Sequence, residues 1–325
     1  MQRVVATVPL PATGLSSQPV AQRVTAGPGL RTRDDAFTGV LYALAAFGIW
    51  GLSPIYFKAV AQVPATEVLA HRVLWATVLL VAVLLLQRRG LELIRELLSW
   101  RRVRFYLVTA LLVSTNWLIF IWSIQNDRLL EASLGYYINP LVNVLLGTLF
   151  LRERLNRWQI SAVMLAAAGV LNLILGYGKF PWVALTLAFS FGLYGFLRKK
   201  GALDAIVGLA VETLLLVPVA LIFLGALAVQ GNGAFAQGVI KIDALLVFAG
   251  VITAVPLVCF LQAARRLQLT TVGLMQYLAP TLNFLLAVLA YQEPFTTAHL
   301  VTFTSIWIAL AIYSFDAFAA RGRTL

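Results

Sequence analysis

Two charged side chains stand inside long apolar stretches of the sequence. Arg72, next to His71, lies in residues 67–86, and Glu212 lies in residues 206–229. A charge inside a membrane costs about 2.5 to 3.5 kcal/mol on insertion scales, so such residues indicate a functional site. We expect Arg72 to contact an anionic or electronegative group of a substrate and Glu212 to exchange a proton, since burial favours the neutral carboxyl group. The alternative is structural, with Arg72 reaching the nearer interface and Glu212 capping a basic loop.

A Tyr-x-x-Pro-x-x-Asn pattern occurs twice in the chain. Its members are Tyr137, Pro140 and Asn143 in the first copy and Tyr277, Pro280 and Asn283 in the second. Residues three apart share one face of a helix, and the proline frees a backbone carbonyl on that face. We predict that this polar face lines a substrate cavity. The alternative is that the same side chains join neighbouring helices, where a hydrogen bond is worth about 0.6 kcal/mol.

Aromatic side chains supply apolar surface for a bound molecule. Trp50, Trp117 and Tyr194 are candidates to stack on an apolar or aromatic substrate, because pocket linings are mostly apolar with a few polar groups. Asn116, next to Trp117, is a further candidate substrate contact. The alternative for each ring is ordinary packing against lipid or the protein core.

The sequence lacks the motifs of common enzyme and cofactor sites. It contains no GxSxG, HExxH, Walker A, GxGxxG or CxxC pattern, which disfavours hydrolytic and redox chemistry and transport driven directly by ATP. Its two histidines, His71 and His299, are far apart, and Cys259 is its single cysteine. We therefore expect no enzyme activity, no cofactor, no bound metal and no intrachain disulfide.

The elements that position these residues are predicted to be transmembrane helices. Apolar residues make up 61% of the chain and charged residues 12%, against roughly 45 to 50% and 25% in soluble domains. The apolar blocks are about as long as a helical crossing, and residues 141–151 are apolar or small on every face, unlike a barrel strand. We predict an all-α fold with ten spans, at residues 37–57, 67–86, 105–124, 132–151, 158–175, 181–197, 206–229, 244–264, 270–291 and 298–318.

The basic residues alternate along the chain in a way that predicts its orientation. Of 25 Lys and Arg residues, one set of alternate loops holds only Lys58, Arg128, Lys179 and Lys241. The tails and the opposite loops hold all the others except Arg72, and basic loops stay in the cytoplasm. Both termini are therefore predicted to be cytoplasmic. The net charge of +12 follows from this topology, so we expect no nucleic-acid partner.

A shift of 140 positions reveals an internal repeat. Eight residues between Leu134 and Glu153 fall on identical residues between Leu274 and Glu293, including both polar patterns. Because five helices is an odd number, the second half enters the membrane from the opposite side, which gives an inverted repeat with a site near the midplane. We assign residues 1–35 to a disordered cytoplasmic tail, 36–178 and 179–318 to the two five-helix halves, and 319–325 to a cytoplasmic tail.

Charged residues also fall on equivalent positions of the repeat. Arg72 falls on Glu212 at the same shift, but their depths in opposite ends of the membrane separate them by about 12 Å, which argues against a direct ion pair. Glu153 and Glu293 end equivalent spans. We predict that they form helix-end or gate ion pairs.

Several of these segments resemble the RarD family. They are residues 45–54 (AAFGIWGLSP), 69–75 (LAHRVLW), 116–125 (NWLIFIWSIQ), 134–143 (LGYYINPLVN), 151–155 (LRERL), 189–199 (FSFGLYGFLRK) and 276–283 (QYLAPTLN). RarD proteins are EamA-type members of the drug/metabolite transporter superfamily, and the resemblance covers residues 37–315. It implies a ten-helix permease of the bacterial inner membrane, in a family whose name refers to chloramphenicol.

The residues and the resemblance together predict a secondary transporter that works by alternating access. We expect it to export a drug-like or hydrophobic metabolite against proton flow, with the lipid bilayer, a small-molecule substrate and protons as partners. An amino-acid or metabolite permease is one alternative. A non-transporting membrane scaffold or sensor is another, and it would not need polar residues converging at mid-depth. A homodimer is also compatible with the sequence.

Overall fold

The computed structural model describes residues 33–151, 155–177, 180–200, 204–267, 271–272 and 275–322. These residues are all-helical and contain no strand, as predicted. Their eleven α-helices are α1 (Arg33–Ala59), α2 (Ala65–Leu86), α3 (Gly90–Leu98), α4 (Trp100–Gln125), α5 (Leu129–Leu151), α6 (Arg157–Tyr177), α7 (Trp182–Lys200), α8 (Ala205–Gln230), α9 (Ile240–Arg266), α10 (Leu278–Leu285) and α11 (Thr297–Gly322). A π-helical turn, Leu286–Ala290, extends α10.

Eight of the described helices are long and apolar enough to cross a membrane: α1, α2, α4, α5, α6, α8, α9 and α11. Two shorter apolar helices, Trp182–Arg198 and Leu278–Ala290, coincide with the predicted sixth and ninth spans. The count of ten spans therefore stays a prediction. A polytopic helical membrane fold is confirmed.

Two helices extend into residues that the sequence assigned to the tails. The first helix begins at Arg33, so residues 33–35, assigned above to the tail, are helical. The last helix runs to Gly322, so residues 319–322, also assigned to a tail, are helical. The first 32 residues, Glu153 and the boundary between the halves lie outside the described residues.

The short helix α3 was not predicted, because its basic surroundings indicate only a loop. It is amphipathic: Leu93 is buried, whereas Leu91 and Leu98 are exposed. A helix with one apolar face beside basic residues is typical of a segment that lies along a membrane surface.

Small residues bring the long helices close together. A Cβ atom added to Gly135 would lie 2.6 Å from the carbonyl oxygen of Ala184, where α5 crosses α7. On α6, Ala162 and Ala166 are buried, and the carbonyl of Gly169 accepts a 2.8 Å hydrogen bond from Thr302 of α11. Small residues on α6 therefore allow close packing against α11.

The helices of the first half, α1, α2, α4, α5 and α6, pack extensively against those of the second half, α7 to α11. The main contacts between the halves are α1 with α9 and α10, α7 with α4 and α5, α2 with α8 and α9, α8 with α4, α5 with α10, and α6 with α11. Of the candidate residues, Trp50, Asn116, Tyr137 and Tyr277 contact the opposite half.

Candidate functional site

Arg72 is a buried cation without an acidic partner in the described part of the chain. It lies on α2, is 6% exposed, and takes part in none of the ion pairs found among the described residues. Its guanidinium carbon lies over the ring of Trp117 on α4, 4.1 Å from the ring centre, and over Phe57 on α1 at 5.6 Å. Its Nε has no hydrogen-bond partner among the described residues. Aromatic faces therefore provide much of its electrostatic stabilisation.

Two tyrosine hydroxyls also lie near Arg72. Tyr56 on α1 and Tyr136 on α5 are close enough to interact with it electrostatically. The Tyr56 hydroxyl donates to the carbonyl of Leu245, 2.8 Å away on α9, and the Tyr136 hydroxyl donates to Oδ1 of Asn116 at 3.1 Å. Because each tyrosine donates its hydroxyl proton to another group, only the lone pairs of its hydroxyl oxygen remain available to the guanidinium as acceptors.

Asn116 orients Tyr136 within the helix bundle. Its Nδ2 donates to the carbonyl of Leu187 at 3.1 Å and to Oγ of Ser190 at 3.0 Å, both on α7, while its Oδ1 accepts from Tyr136. The side chain is 2% exposed. Asn116 therefore acts through Tyr136 in this conformation, and its amide has little surface left for a substrate.

Glu212 lies in a second charged cluster, at the junction of α7 and α8. Its carboxylate is completely buried; one oxygen accepts from Arg198 at 3.0 Å and the other from the Tyr194 hydroxyl at 3.0 Å. Arg198 also donates to the carbonyl of Asp204 at 3.1 Å. Arg198 is therefore the cation that pairs with Glu212 in this structure.

Asp204 caps the helix that carries Glu212. Its Oδ1 accepts from the amides of Ile206 and Val207, both at 3.0 Å, and its Oδ2 pairs with Arg89 at 3.1 Å. Burial acts to raise the pKa of Asp204, but the Val207 and Ile206 amides and the Arg89 guanidinium hold it below its ordinary value. This N-cap fixes the start of α8, two turns before Glu212.

Tyr137 and Tyr277 meet at the centre of the helix bundle. Their ring centroids are 6.3 Å apart with an interplanar angle of 16°, and the Tyr137 hydroxyl lies 2.7 Å from Oγ1 of Thr281. The asparagines of the two patterns differ. Asn143 is exposed on α5 and donates to Asn139 at 3.2 Å, whereas Asn283 is 2% exposed with no partner for its Oδ1 among the described residues.

Trp50 lies apart from the two charged clusters. Its ring packs against Phe47 of α1 and Phe260 of α9, with centroids 5.7 and 5.9 Å away. The candidate residues thus form three groups. These are Arg72 with Trp117 and Asn116, Tyr194 with Glu212, and Tyr137 with Tyr277.

Sequence reasoning missed Phe57, Tyr136 and Arg198 as members of these groups. Arg198 belongs to a basic run that indicated only orientation, and Phe57 and Tyr136 are aromatic residues without a distinctive spacing. The position of Tyr136 next to Tyr137 was the available signal. On a helix, adjacent residues point in different directions, and here Tyr136 reaches Asn116 while Tyr137 reaches Tyr277.

The end of α2 opposite its basic loop is covered by the segment between α8 and α9. Oε1 of Glu67 accepts from the amide of Ala234 at 2.6 Å, and the His71 ring lies 4.9 Å from that of Phe235. Both nitrogens of His71 are buried without a hydrogen-bond partner in the described residues. Within those residues, no group of three His, Cys, Asp or Glu side chains is placed to hold a metal ion.

Glu293 joins two other segments at the same end of the helix bundle. Its two carboxylate oxygens accept from the amides of Leu129 and Leu130, at 2.7 and 2.8 Å, so it caps the first turn of α5. Burial raises the pKa of Glu293, although these two amides counteract the shift. Within the described residues, Glu293 thus lies at a helix end, where it binds backbone amides instead of the expected basic partner.

Comparison with known proteins agrees with this architecture. The profile of the EamA-like transporter family matches residues 37–175. An uncharacterized transporter of Vibrio cholerae is 51% identical over 288 residues, 89% of this chain and 95% of the relative. Protein RarD of Salmonella typhi is 49% identical over 279 residues, 86% of this chain and 95% of the relative.

A solved structure shows the same fold at lower similarity. The structure, titled "Crystal structure of protein", covers 85% of this chain and 97% of its own, with a TM-score of 0.55 and 18% identity. The identity with the curated relatives extends over most of the chain. The chain therefore belongs to the RarD branch of the EamA-like transporter family, and it is a multi-pass membrane transporter.

Proposed function

We propose that this protein is a secondary transporter of the bacterial inner membrane that exports a drug-like or hydrophobic metabolite by alternating access. The family's name points to chloramphenicol-related compounds as a first class to test. An amino-acid or other metabolite permease is the alternative cargo assignment. In each case the two five-helix halves, residues 36–178 and 179–318, rearrange around a site between them.

The exchange symmetry of the helix contacts carries this proposal. In chain order, the counterparts in the two halves are α1 and α7, α2 and α8, α4 and α9, α5 and α10, and α6 and α11. When each helix is replaced by its counterpart, the contact of α1 with α9 becomes the contact of α7 with α4. In the same way, the contact of α1 with α10 becomes the contact of α7 with α5. Likewise, α2 with α9 becomes α8 with α4, while α2–α8, α5–α10 and α6–α11 map onto themselves. The smaller contact of α5 with α11 has no counterpart of similar extent within the described residues. This pattern supports a pseudo-two-fold relation between the halves.

Such a relation explains how one site can open to two sides. In an inverted repeat each half can adopt the conformation that the other half holds, which turns an inward-facing arrangement into an outward-facing one. The odd number of helices in each half supports inversion, because it places the equivalent helices in opposite directions across the membrane.

Polar contacts at both ends of the bundle fit a gated pathway. At one end, Arg198 and Glu212 form a buried ion pair at the basic C-terminal end of α7. At the other, Lys58 pairs with Asp127, and Glu293 binds the start of α5. The Glu293 contact joins the two halves, whereas the other two contacts each join elements within one half. Protonation of Glu212 would weaken its pairing with Arg198 and couple opening to a proton.

The orientation that we propose is testable by reporter fusions. The segment near Arg101 is basic and the one near Gly233 is not, so the first is expected in the cytoplasm and the second in the periplasm. Finding both reporters on one side would contradict the ten-span topology.

Transport itself is tested in reconstituted vesicles. With an acidic lumen, a proton-coupled exporter inserted with its cytoplasmic side outward should accumulate chloramphenicol, or another member of a metabolite library, and a protonophore should abolish the accumulation. Glu212→Gln should remove this uptake in protein that remains monodisperse, and empty vesicles serve as the control. If no compound moves and no proton flux appears, a scaffold or sensor becomes the better assignment.

A further inference from the structure

We propose that the cargo is a monoanion with a flat apolar body, whose acidic group binds the guanidinium of Arg72 beside Trp117 and Phe57. This inference rests on the proposed transport function, and it narrows the hydrophobic cargo to organic acids. It predicts that neutral compounds, chloramphenicol among them, bind less tightly than acids of similar shape.

The first argument is the charge balance of the buried interior. Arg72 and Glu212 are both at least nine-tenths buried, but Glu212 is already paired with Arg198. Within the described residues this leaves the charge of Arg72 without a counter-ion. A buried charge is costly unless a partner of opposite sign or several hydrogen bonds compensate it. A bound anion would supply the missing partner.

The second argument is a comparison with Arg128, which has similar aromatic neighbours. The guanidinium of Arg128 lies 5.8 Å from the ring centre of Trp122 and 5.5 Å from that of Trp182, and it also pairs with Glu131 at 2.9 Å. The guanidinium of Arg128 therefore has both aromatic rings and a carboxylate as neighbours. Arg72 has the rings but lacks the carboxylate in the described part of the chain.

The third argument is the shape that the surroundings would accept. The guanidinium lies over two aromatic rings, and its planar fork of N–H groups fits a carboxylate. The Nε–H has no partner among the described residues. Tyr56 and Tyr136 offer uncharged oxygen atoms nearby, which leave the positive charge available to an anion.

The fourth argument is a continuous series of aromatic rings that leads away from Arg72. Phe57 contacts Phe120 at 6.0 Å, Phe120 contacts Tyr136 at 5.5 Å, Tyr136 contacts Phe191 at 6.2 Å, and Phe191 contacts Tyr194 at 6.1 Å between ring centroids. The series ends where Tyr194 binds Glu212. Flat apolar molecules stack favourably on aromatic rings, so the proposal places the planar body of the acid along this series.

A binding experiment separates this inference from transport. The purified full-length protein in lipid nanodiscs is titrated, without any gradient, with 1-naphthylacetate and with its neutral amide, 1-naphthylacetamide. Two further acid–amide pairs, indole-3-acetate and 4-phenylbutyrate with their amides, broaden the test. We expect each acid that binds to do so at least tenfold more tightly than its amide, and we expect this preference to weaken at high salt.

Variants locate the preference at Arg72. Arg72→Gln should lower acid affinity at least tenfold and leave amide affinity within twofold, and Arg72→Lys should retain part of the acid preference. Arg128→Gln is the matched control and should leave both affinities unchanged. Size-exclusion profiles and thermal unfolding establish that each variant is folded. If a variant at position 72 does not fold, the parental protein still tests the inference, through its acid–amide affinity ratio and the salt dependence of that ratio.

The outcomes are distinguishable. Equal affinity of acids and amides, binding of no acid at all, or an undiminished acid preference in Arg72→Gln would overturn the inference. Vesicle transport of neutral compounds together with any of these results would leave the transport function intact. Arg72-dependent acid binding without flux of any compound would instead retain the anion site and reject transport.

Discussion

The rings of Tyr137 and Tyr277 stack on each other, with centroids 6.3 Å apart and planes 16° from parallel. A shift of 140 positions makes these two residues equivalent in the two halves of the chain. Equivalent atoms approach each other only near the axis that relates them, so this contact lies where a pseudo-two-fold axis is expected to pass. The Oγ of Ser133 donates to the carbonyl of Pro280 at 2.9 Å in the same region, where α5 meets α10.

The tyrosine contact should show energetic coupling between the halves. Tyr137→Leu and Tyr277→Leu should each destabilise the protein, and their double-mutant cycle should give a coupling of about 0.5 to 1.5 kcal/mol, as for other aromatic pairs. Unfolding in detergent, followed by intrinsic fluorescence, measures all four proteins. Tyr42, which lies against Arg266, supplies the control pair. Tyr137→Leu and Tyr42→Leu should be additive.

The repeat in the sequence identifies Tyr137 and Tyr277 as equivalent residues, but it does not predict their direct contact. Most helix positions were predictable, because long apolar blocks admit few other structures in a membrane. The partner of Glu212 was not predictable. Arg198 is fourteen positions away on the preceding helix, and its basic neighbours indicated topology alone. The aromatic surroundings of Arg72 come from three helices, and helix periodicity does not fix which rings of different helices meet.

The Arg198–Glu212 pair gives a prediction about stability. Removing one member leaves the other as a buried, unpaired charge, which typically costs about 3 to 5 kcal/mol. Glu212→Leu and Arg198→Met should therefore each be strongly destabilising, and the double variant should lose less than the sum of the two. Unfolding free energies of the four proteins test this. Additive losses would mean that the two charges do not compensate each other.

The contact of Glu67 with the segment between α8 and α9 gives a prediction about local mobility. Glu67→Leu removes the acceptor of the Ala234 amide, which donates at 2.6 Å. Hydrogen–deuterium exchange of residues 231–239 should become faster, while exchange in α8 itself stays slow. Thr66→Ala is a suitable control, because Thr66 is an exposed neighbour. Unchanged protection in Glu67→Leu would show that the remaining contacts of this segment, such as Ala236 with Asp243, hold it alone.

Asp204 gives a prediction about pH. The pKa of its carboxyl group in the folded protein is held below the ordinary value. The ionised carboxylate therefore stabilises the protein fully above the pKa of the unfolded chain, about 3.9. This stabilisation is lost as the pH falls through the lower pKa of the folded protein. Asp204→Ala should cost about 1 kcal/mol at pH 7 through loss of the N-cap. The difference between the parental protein and Asp204→Ala should shrink below about pH 4. Thermal unfolding at pH 7 and at pH 3 measures both quantities, and a difference that grows in acid would contradict the assignment.

The crossing of α5 and α7 gives the last prediction, because it positions the groups around Arg72. A Cβ atom at Gly135 would lie 2.6 Å from the Ala184 carbonyl oxygen and 3.0 Å from Leu187 Cβ. Gly135→Ala must therefore push α7 outward, and overpacking of this kind costs about 1 to 3 kcal/mol.

The same displacement would lengthen the hydrogen bonds that Asn116 donates to Leu187 and Ser190 on α7. Tyr136, which donates to Asn116, would lose its fixed position beside Arg72. Gly135→Ala should thus weaken acid binding in the nanodisc titration as well as lower the unfolding free energy. Gly225→Ala in α8 is the matched control, because no atom lies within 4 Å of its added Cβ and alanine favours a helix over glycine by about 0.5 to 1 kcal/mol. That variant should be equally or more stable and bind normally. Equal behaviour of the two variants would show that α7 tolerates the displacement without disturbing the site.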